Sequence, residues 1–223
     1  MKDPKTFKML AKNKLREHMD EGVSYLMAYK ASDKSHKDRS GNVEHRVYMV
    51  PETLFEKDAG LSEQQKLKMN MFTLSDFAVM GVSQFYFPED VVFHAYADEY
   101  KLLMTVSRGD TIIYSRTMEY VYAEGQALES VFYESVNLTY MFVTKNMKVD
   151  VDRMMLSGQL KEMSELSRML FEFNQKPQSA ILSSYIISNC TRETFHRFMI
   201  PISLCMINDS YDFTPESYQE RRG

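Results

Sequence analysis

The 223-residue chain carries 27 Lys+Arg against 31 Asp+Glu, a net charge of −4, with 44% hydrophobic residues, 8 Gly, 6 Pro, 18 Met and no Trp. So little Gly and Pro beside so much apolar content excludes a collagenous or disordered chain and predicts a packed core. No apolar run reaches membrane-spanning length, the longest being 198–207, which excludes a helical membrane protein.

Charge is uneven along the chain. Residues 1–50 hold 11 Lys+Arg and 7 Asp+Glu, a net of +4, whereas the other 173 hold 16 and 24, a net of −8. The start, Met1-Lys2-Asp3-Pro4-Lys5, is charged instead of apolar and predicts a cytoplasmic protein without a secretory leader. Cys190 and Cys205 lie in apolar stretches and read as buried thiols. In that setting the glycosylation patterns at Asn137, Asn189 and Asn208 are chance matches.

A helix is expected over 4–21, with Asp3 as its N-cap, Pro4 at its first position and Gly22 as its stop. Phe7, Leu10, Ala11 and Leu15 fall on one face; Lys5, Lys8, Lys12 and Arg16 fall on the opposite face, and Lys14 lies near the apolar side. Residues 23–30 and 43–50 read as strands, joined by a polar connector with Lys34, His36, Lys37 and Arg39. This predicts a hairpin with a basic tip. By alternation Tyr25, Met27 and Tyr29 share a face of the first strand, and Arg46 and Tyr48 a face of the second.

Ser62 and Gln65 make a capping box for a helix over 61–72. Residues 73–99 stay undetermined: Thr73, Ser75 and Asp76 suit a helix start, but 82–87 and 91–93 are rich in strand formers. The clearest hairpin joins 100–107 to 111–122 across Arg108-Gly109-Asp110, where Gly-Asp supplies the turn chemistry. From there on the chain reads as helical. A helix over 126–147 has apolar Leu128, Val131, Phe132, Val136 and Tyr140. The next, 152–174, begins at Asp150 or Asp152, repeats Leu156, Met163 and Leu170, and breaks at Pro177. Helices near 178–189 and 192–207 follow, the second kinked or ended by Pro201. Residues 208–223 form a polar tail with Tyr211, Phe213 and Tyr218.

The predicted fold is therefore α+β: a mainly antiparallel sheet in the N-terminal half (1–122), a helical C-terminal region (123–207) packed on it, and the tail (208–223), all in one domain.

Chemistry is sparse. Neither phosphate-binding glycine pattern occurs, and there is no Cys-x-x-Cys or His-Glu-x-x-His. Glu129 and Glu134 lack the Glu-x-x-His partners of a di-iron bundle. His94 with Asp98 is half a site, and Cys190 with His196 is a thiol–imidazole pair only if the fold joins them. No catalytic residue, cofactor or metal is expected, so the chain reads as a non-enzymatic binding protein.

The leading expectation is a sequence-tolerant nucleic-acid binder, with single-stranded DNA as partner, serving replication or transcription. Lys5, Lys8, Lys12, Arg16, Lys34, Lys37, Arg39 and Arg46 would track phosphates while Tyr25, Tyr29 and Tyr48 stack on bases. The lack of familiar motifs fits a phage-encoded chain. The alternative is a self-assembling interaction or scaffold protein with no nucleic-acid role. It would join through Met-rich helical faces bearing Met154, Met155, Met163 and Met169, with the tail as a peptide for a protein partner. A homo-oligomer is expected in either case.

Overall fold

The computed structural model describes residues 4–31, 45–66, 69, 71–98, 100–119, 128–158, 165, 166, 168, 191–204, 207 and 213. The class is mixed α+β, and among the described residues all but one of the strand pairings are antiparallel, as the sequence predicts. The chain divides into two units, Met1–Thr73 with Asn208–Gly223, and Leu74–Ile207.

The first unit opens with α1 (Pro4–Leu15), which Pro4 can start because its missing N–H would have no partner there. A 3₁₀ turn, Arg16–His18, ends it before the expected residue 21. Gly22 takes φ +79° in the connection that follows, so it shapes the entry to the next strand and does not stop the helix. Strand β1 (Tyr25–Ala31) pairs antiparallel with β2 (His45–Pro51), which is the expected hairpin.

Helix α2 (Glu52–Gln64) follows β2 without a loop. The Glu52 N–H donates to the Ser24 carbonyl at 2.9 Å and ties the helix start to the hairpin. The helix expected over 61–72 is thus displaced toward the N-terminus. Ser62 lies in the last turn of α2, where its hydroxyl donates back to the Asp58 carbonyl at 3.0 Å instead of capping. Buried Phe55 meets Phe72 edge-on with centroids 5.4 Å apart. Phe213 is buried too, and its N–H donates to the Phe72 carbonyl at 2.8 Å. That residue of the tail is held inside its own unit, contrary to a tail reserved for an outside partner.

The second unit begins with α3 (Ser75–Tyr86), whose residues 77–83 are all buried. Burial outweighs the strand preference of Val and Phe here. Strands β3 (Val91–Ala97), β4 (Lys101–Arg108) and β5 (Thr111–Glu119) form a meander. Asp98 holds the first turn by accepting from the Tyr100 and Lys101 N–H groups at 2.8 and 2.7 Å. Gly109, at φ +52°, makes the second turn beside Asp110. Helix α4 (Leu128–Met141) runs into a π-helical turn (Phe142–Asn146), matching the helix expected over 126–147.

Strand β6 (Arg153–Gly158) then lies parallel to β3, giving the order β5-β4-β3-β6. The segment read as the start of a long helix is therefore a strand. Asp152 does not cap a helix: its carboxylate accepts from the Val91 N–H at 3.0 Å, while its own N–H donates to the Val91 carbonyl at 2.8 Å. Arg153 adds an ion pair to Asp90 at 2.8 Å and stands over the Phe87 ring at 5.0 Å. Helices α5 (Arg192–Arg197) and α6 (Met199–Leu204) are separated at Phe198. The break falls where Pro201 has no N–H to give the Arg197 carbonyl four residues earlier, so Pro201 interrupts the helix expected over 192–207 while fitting the first turn of α6. Most of 159–174, all of 178–189, the connector 32–44, Cys190 and Cys205 lie outside the described residues.

Directly paired strand residues share a face of a sheet. One face of the four-stranded sheet packs Val92, Tyr96, Leu103 and Met155 against Val79, Val82, Phe195 and Met199. The other packs Phe93, Ala95, Leu102, Met104, Val106, Met154 and Leu156 against Phe132, Val136 and Val143 of α4 and its π turn. The unit is a three-layer sandwich. Among the described residues no helix is long and apolar enough to cross a membrane.

Candidate protein-docking surface

Polar side chains are sealed into the α3 side of the sheet. His94 on β3 is fully buried, with Nδ1 2.9 Å from the Ser83 hydroxyl and Nε2 2.7 Å from that of Ser157. The Ser83 hydroxyl also donates to the Val79 carbonyl at 3.3 Å, so its oxygen accepts from Nδ1–H. Nε2 then accepts from Ser157. Burial holds the imidazole neutral, lowering its pKa from 6.5 to about 3; hydrogen bonding of the imidazole to the Val79 backbone opposes this and nearby His196 adds to it. His196, on α5, accepts from the Gly158 N–H at 3.4 Å. This chain of groups ties α3, β3, β6 and α5 together. With no exposed member at its centre it offers no access to a substrate.

His94 and Asp98 do not form the helical pair considered from the sequence, because β3 is a strand and Asp98 serves the turn. Among the described residues no group of three or more His, Cys, Asp or Glu is placed to hold a metal ion.

The α4 side is different. Phe132, Ser135, Val136 and Thr139 of α4 are buried against the sheet. Apolar residues continue onto the outer face: Leu138 is 52% exposed, Met141 39% and Phe142 42%, with Tyr133 exposed nearby. Phe142 is steadied by the Tyr114 ring of β5, centroids 5.3 Å apart. Glu134 is exposed toward the start of this face and Lys145 toward its end. A helix that spends apolar side chains on both faces has one face in the core and another available to a partner. Of the apolar residues expected along this helix, Phe132 and Val136 are buried and Leu128, Val131 and Tyr140 half-buried. The missed signal was that apolar residues at 138, 141 and 142 fall off that stripe.

The expected nucleic-acid residues fall only in part within the described residues. Lys5 and Lys8 belong to α1, Lys12 is exposed on that helix, and Arg16 is exposed in the 3₁₀ turn. Lys34, Lys37 and Arg39 lie outside the described residues. In the hairpin Tyr25 pairs with Pro51, Tyr29 with Val47, Tyr48 with Ala28 and Arg46 with Lys30. Tyr48 therefore shares a face with Ala28, an odd number of residues from Tyr25, and the two tyrosines are on opposite faces of the ribbon. Tyr25 is also committed locally: its hydroxyl accepts from the Asp20 N–H at 3.2 Å and donates to the Asp20 carboxylate at 3.1 Å. Of the expected Met interface, Met154 and Met155 are fully buried in the core, and Met163 and Met169 lie outside the described residues.

No family model and no curated protein sequence matches the chain. Solved structures do resemble it. One is a chain of a PilM-PilN type IV pilus biogenesis complex, with TM-score 0.63 and 10% identity over 91% of this chain and 72% of that one. Another is a Bacteroides thetaiotaomicron protein described as having an actin-like ATPase fold and unknown function, with TM-score 0.49 and 10% identity over 92% of this chain. This chain spans 66% of that protein, just under two thirds of its length. The likeness to the pilus-complex chain is one of fold. That likeness overturns the single-stranded nucleic-acid reading, the DNA-binding role and the nucleic-acid partner.

Proposed function

We propose that this chain is a protein-docking component of a larger assembly, acting by presenting the outer face of α4 to a protein partner. The observation that carries this reading is the exposed row of Leu138, Met141 and Phe142 on a helix whose opposite face is fixed in the core. A rigid mount of that kind lowers the ordering cost of association. Support also comes from the fold shared with a chain of the PilM-PilN complex. The reading assigns no reaction to the chain and keeps the scaffold role, moving its surface from the 152–174 segment to α4.

The test replaces Leu138 and Met141 together by Asp. Neither side chain fills the core, so the circular dichroism spectrum should be unchanged and Tm should move by no more than about 4 °C. In extracts of native-host cells cross-linked before lysis, size-exclusion chromatography should find the wild-type chain above monomer mass and the variant displaced from that fraction. A wild-type chain eluting at monomer mass, or a variant eluting with the wild type, contradicts the proposal.

A further inference from the structure

The outer face of α4 carries more than apolar side chains. Glu134, Leu138, Met141 and Lys145 are all exposed and recur at spacings of four, three and four residues. That spacing keeps side chains on a single stripe of a helix. Lys145 stands in the π-helical turn that continues α4, one wide turn beyond Met141. The stripe is thus acidic at its start, apolar in its middle and basic at its end. Glu129 strengthens the acidic end, and exposed Lys148 strengthens the basic one. Among the described residues neither Glu134 nor Lys145 has an ion-pair partner within the chain.

Such a stripe is complementary to itself when reversed. Set antiparallel about a two-fold axis between residues 139 and 140, Glu134 of one copy meets Lys145 of the other, and Leu138 meets Met141. Both contacts occur twice, as a two-fold interface requires. Parallel alignment would place like charges together at both ends.

We infer that the occupant of this face is a second copy of the same chain, docked as an antiparallel α4 pair with Leu138 and Met141 at its centre and two Glu134–Lys145 ion pairs at its ends. The inference rests on the docking reading and names its partner. One helix pair is smaller than a standard interface, so the dimer is expected to be transient, with a Kd on the order of 10 µM. The ion pairs are rim contacts: they set orientation and make association sensitive to salt.

Sedimentation velocity of the purified full-length chain, from about 1 to about 200 µM, provides the test. The wild type should move from monomer to dimer across that range. Glu134→Lys places like charges at both ends of the pair and should raise Kd at least about tenfold, as should Lys145→Glu. The double variant Glu134→Lys with Lys145→Glu restores opposite charges and should return to within about threefold of the wild type. Circular dichroism confirms that each variant folds. A monomer at every concentration overturns the inference, as does a double variant no better than the single ones. Either result leaves the docking reading to be judged by the host-extract experiment, in which a different protein would be the partner.

Discussion

The two faces of the four-stranded sheet are built on opposite plans. Under α3, α5 and α6 the sheet carries His94, Thr105 and Ser157 among its apolar residues, and the polar row is sealed. Under α4 the sheet contributes Phe93, Ala95, Leu102, Met104, Val106, Met154 and Leu156, yet the helix above it keeps Leu138, Met141 and Phe142 in solvent. The side with titratable chemistry is closed, and the side without it is open. In this unit the buried polar groups specify how the layers fit, and the exposed apolar groups are left to meet another protein.

The largest effect is expected at the edge of the closed side. Gly158 ends β6 at φ +129°, and a Cβ there would overlap the Ala97 carbonyl of β3. Gly158→Ala should cost about 3 kcal/mol or more through backbone strain and overlap, and should loosen the nearby contact to His196. Urea unfolding followed by circular dichroism measures it. A midpoint equal to that of the wild type would mean that β6 does not approach β3 so closely.

Next comes acid. In the unfolded chain His94 takes up a proton near its ordinary pKa of 6.5, whereas in the fold it resists until about 3. Between those values the unfolded state binds more protons, so stability is complete above pH 6.5 and falls as pH drops toward 3. At pH 4.5 the loss from this group is about 3 kcal/mol relative to pH 7.5. His94→Gln should lower stability at neutral pH but flatten the slope between pH 6.5 and 4.5. An unchanged slope would assign the acid sensitivity to other groups.

A smaller gain separates the two faces further. Thr105 is the register partner of His94, and its buried hydroxyl has no hydrogen-bond partner among the described residues. Thr105→Val keeps the shape and removes the unpaired group, so the free energy of unfolding should rise by about 1 kcal/mol. A loss of stability would show that the hydroxyl is satisfied. On the open side, Leu138→Ala should change stability by less than about 0.5 kcal/mol, because the side chain is not in the core. A loss above about 2 kcal/mol would place Leu138 in the packing and remove it from the docking surface.

Local signals were legible wherever the structure is local. Gly109-Asp110 turns β4 into β5, Pro4 starts α1, and the buried set Phe132 and Val136 marks α4. The β6 strand was hidden because Met154, Met155 and Leu156 suit a helix as well as a strand. What decides is the pairing of Asp152 and Arg153 with Val91 and Asp90, about sixty residues earlier in the chain. Helix α3 was hidden for a related reason: burial on one side of the sheet prevailed over its residues' local preference. The basic N-terminus drew attention because charge is visible in a sequence, whereas the strand register that separates Tyr25 from Tyr48 is not. The docking face went unseen because exposure of Leu138 and Met141 depends on which side of α4 the sheet occupies.

The most direct test is photo-crosslinking in the native host from a probe at position 138, compared with the same probe at position 108, which is exposed at the end of β4. The account predicts discrete protein adducts from position 138, a second copy of this chain among them, and none of comparable yield from position 108. Equal yields at the two positions, or adducts to nucleic acid from position 138, would contradict it.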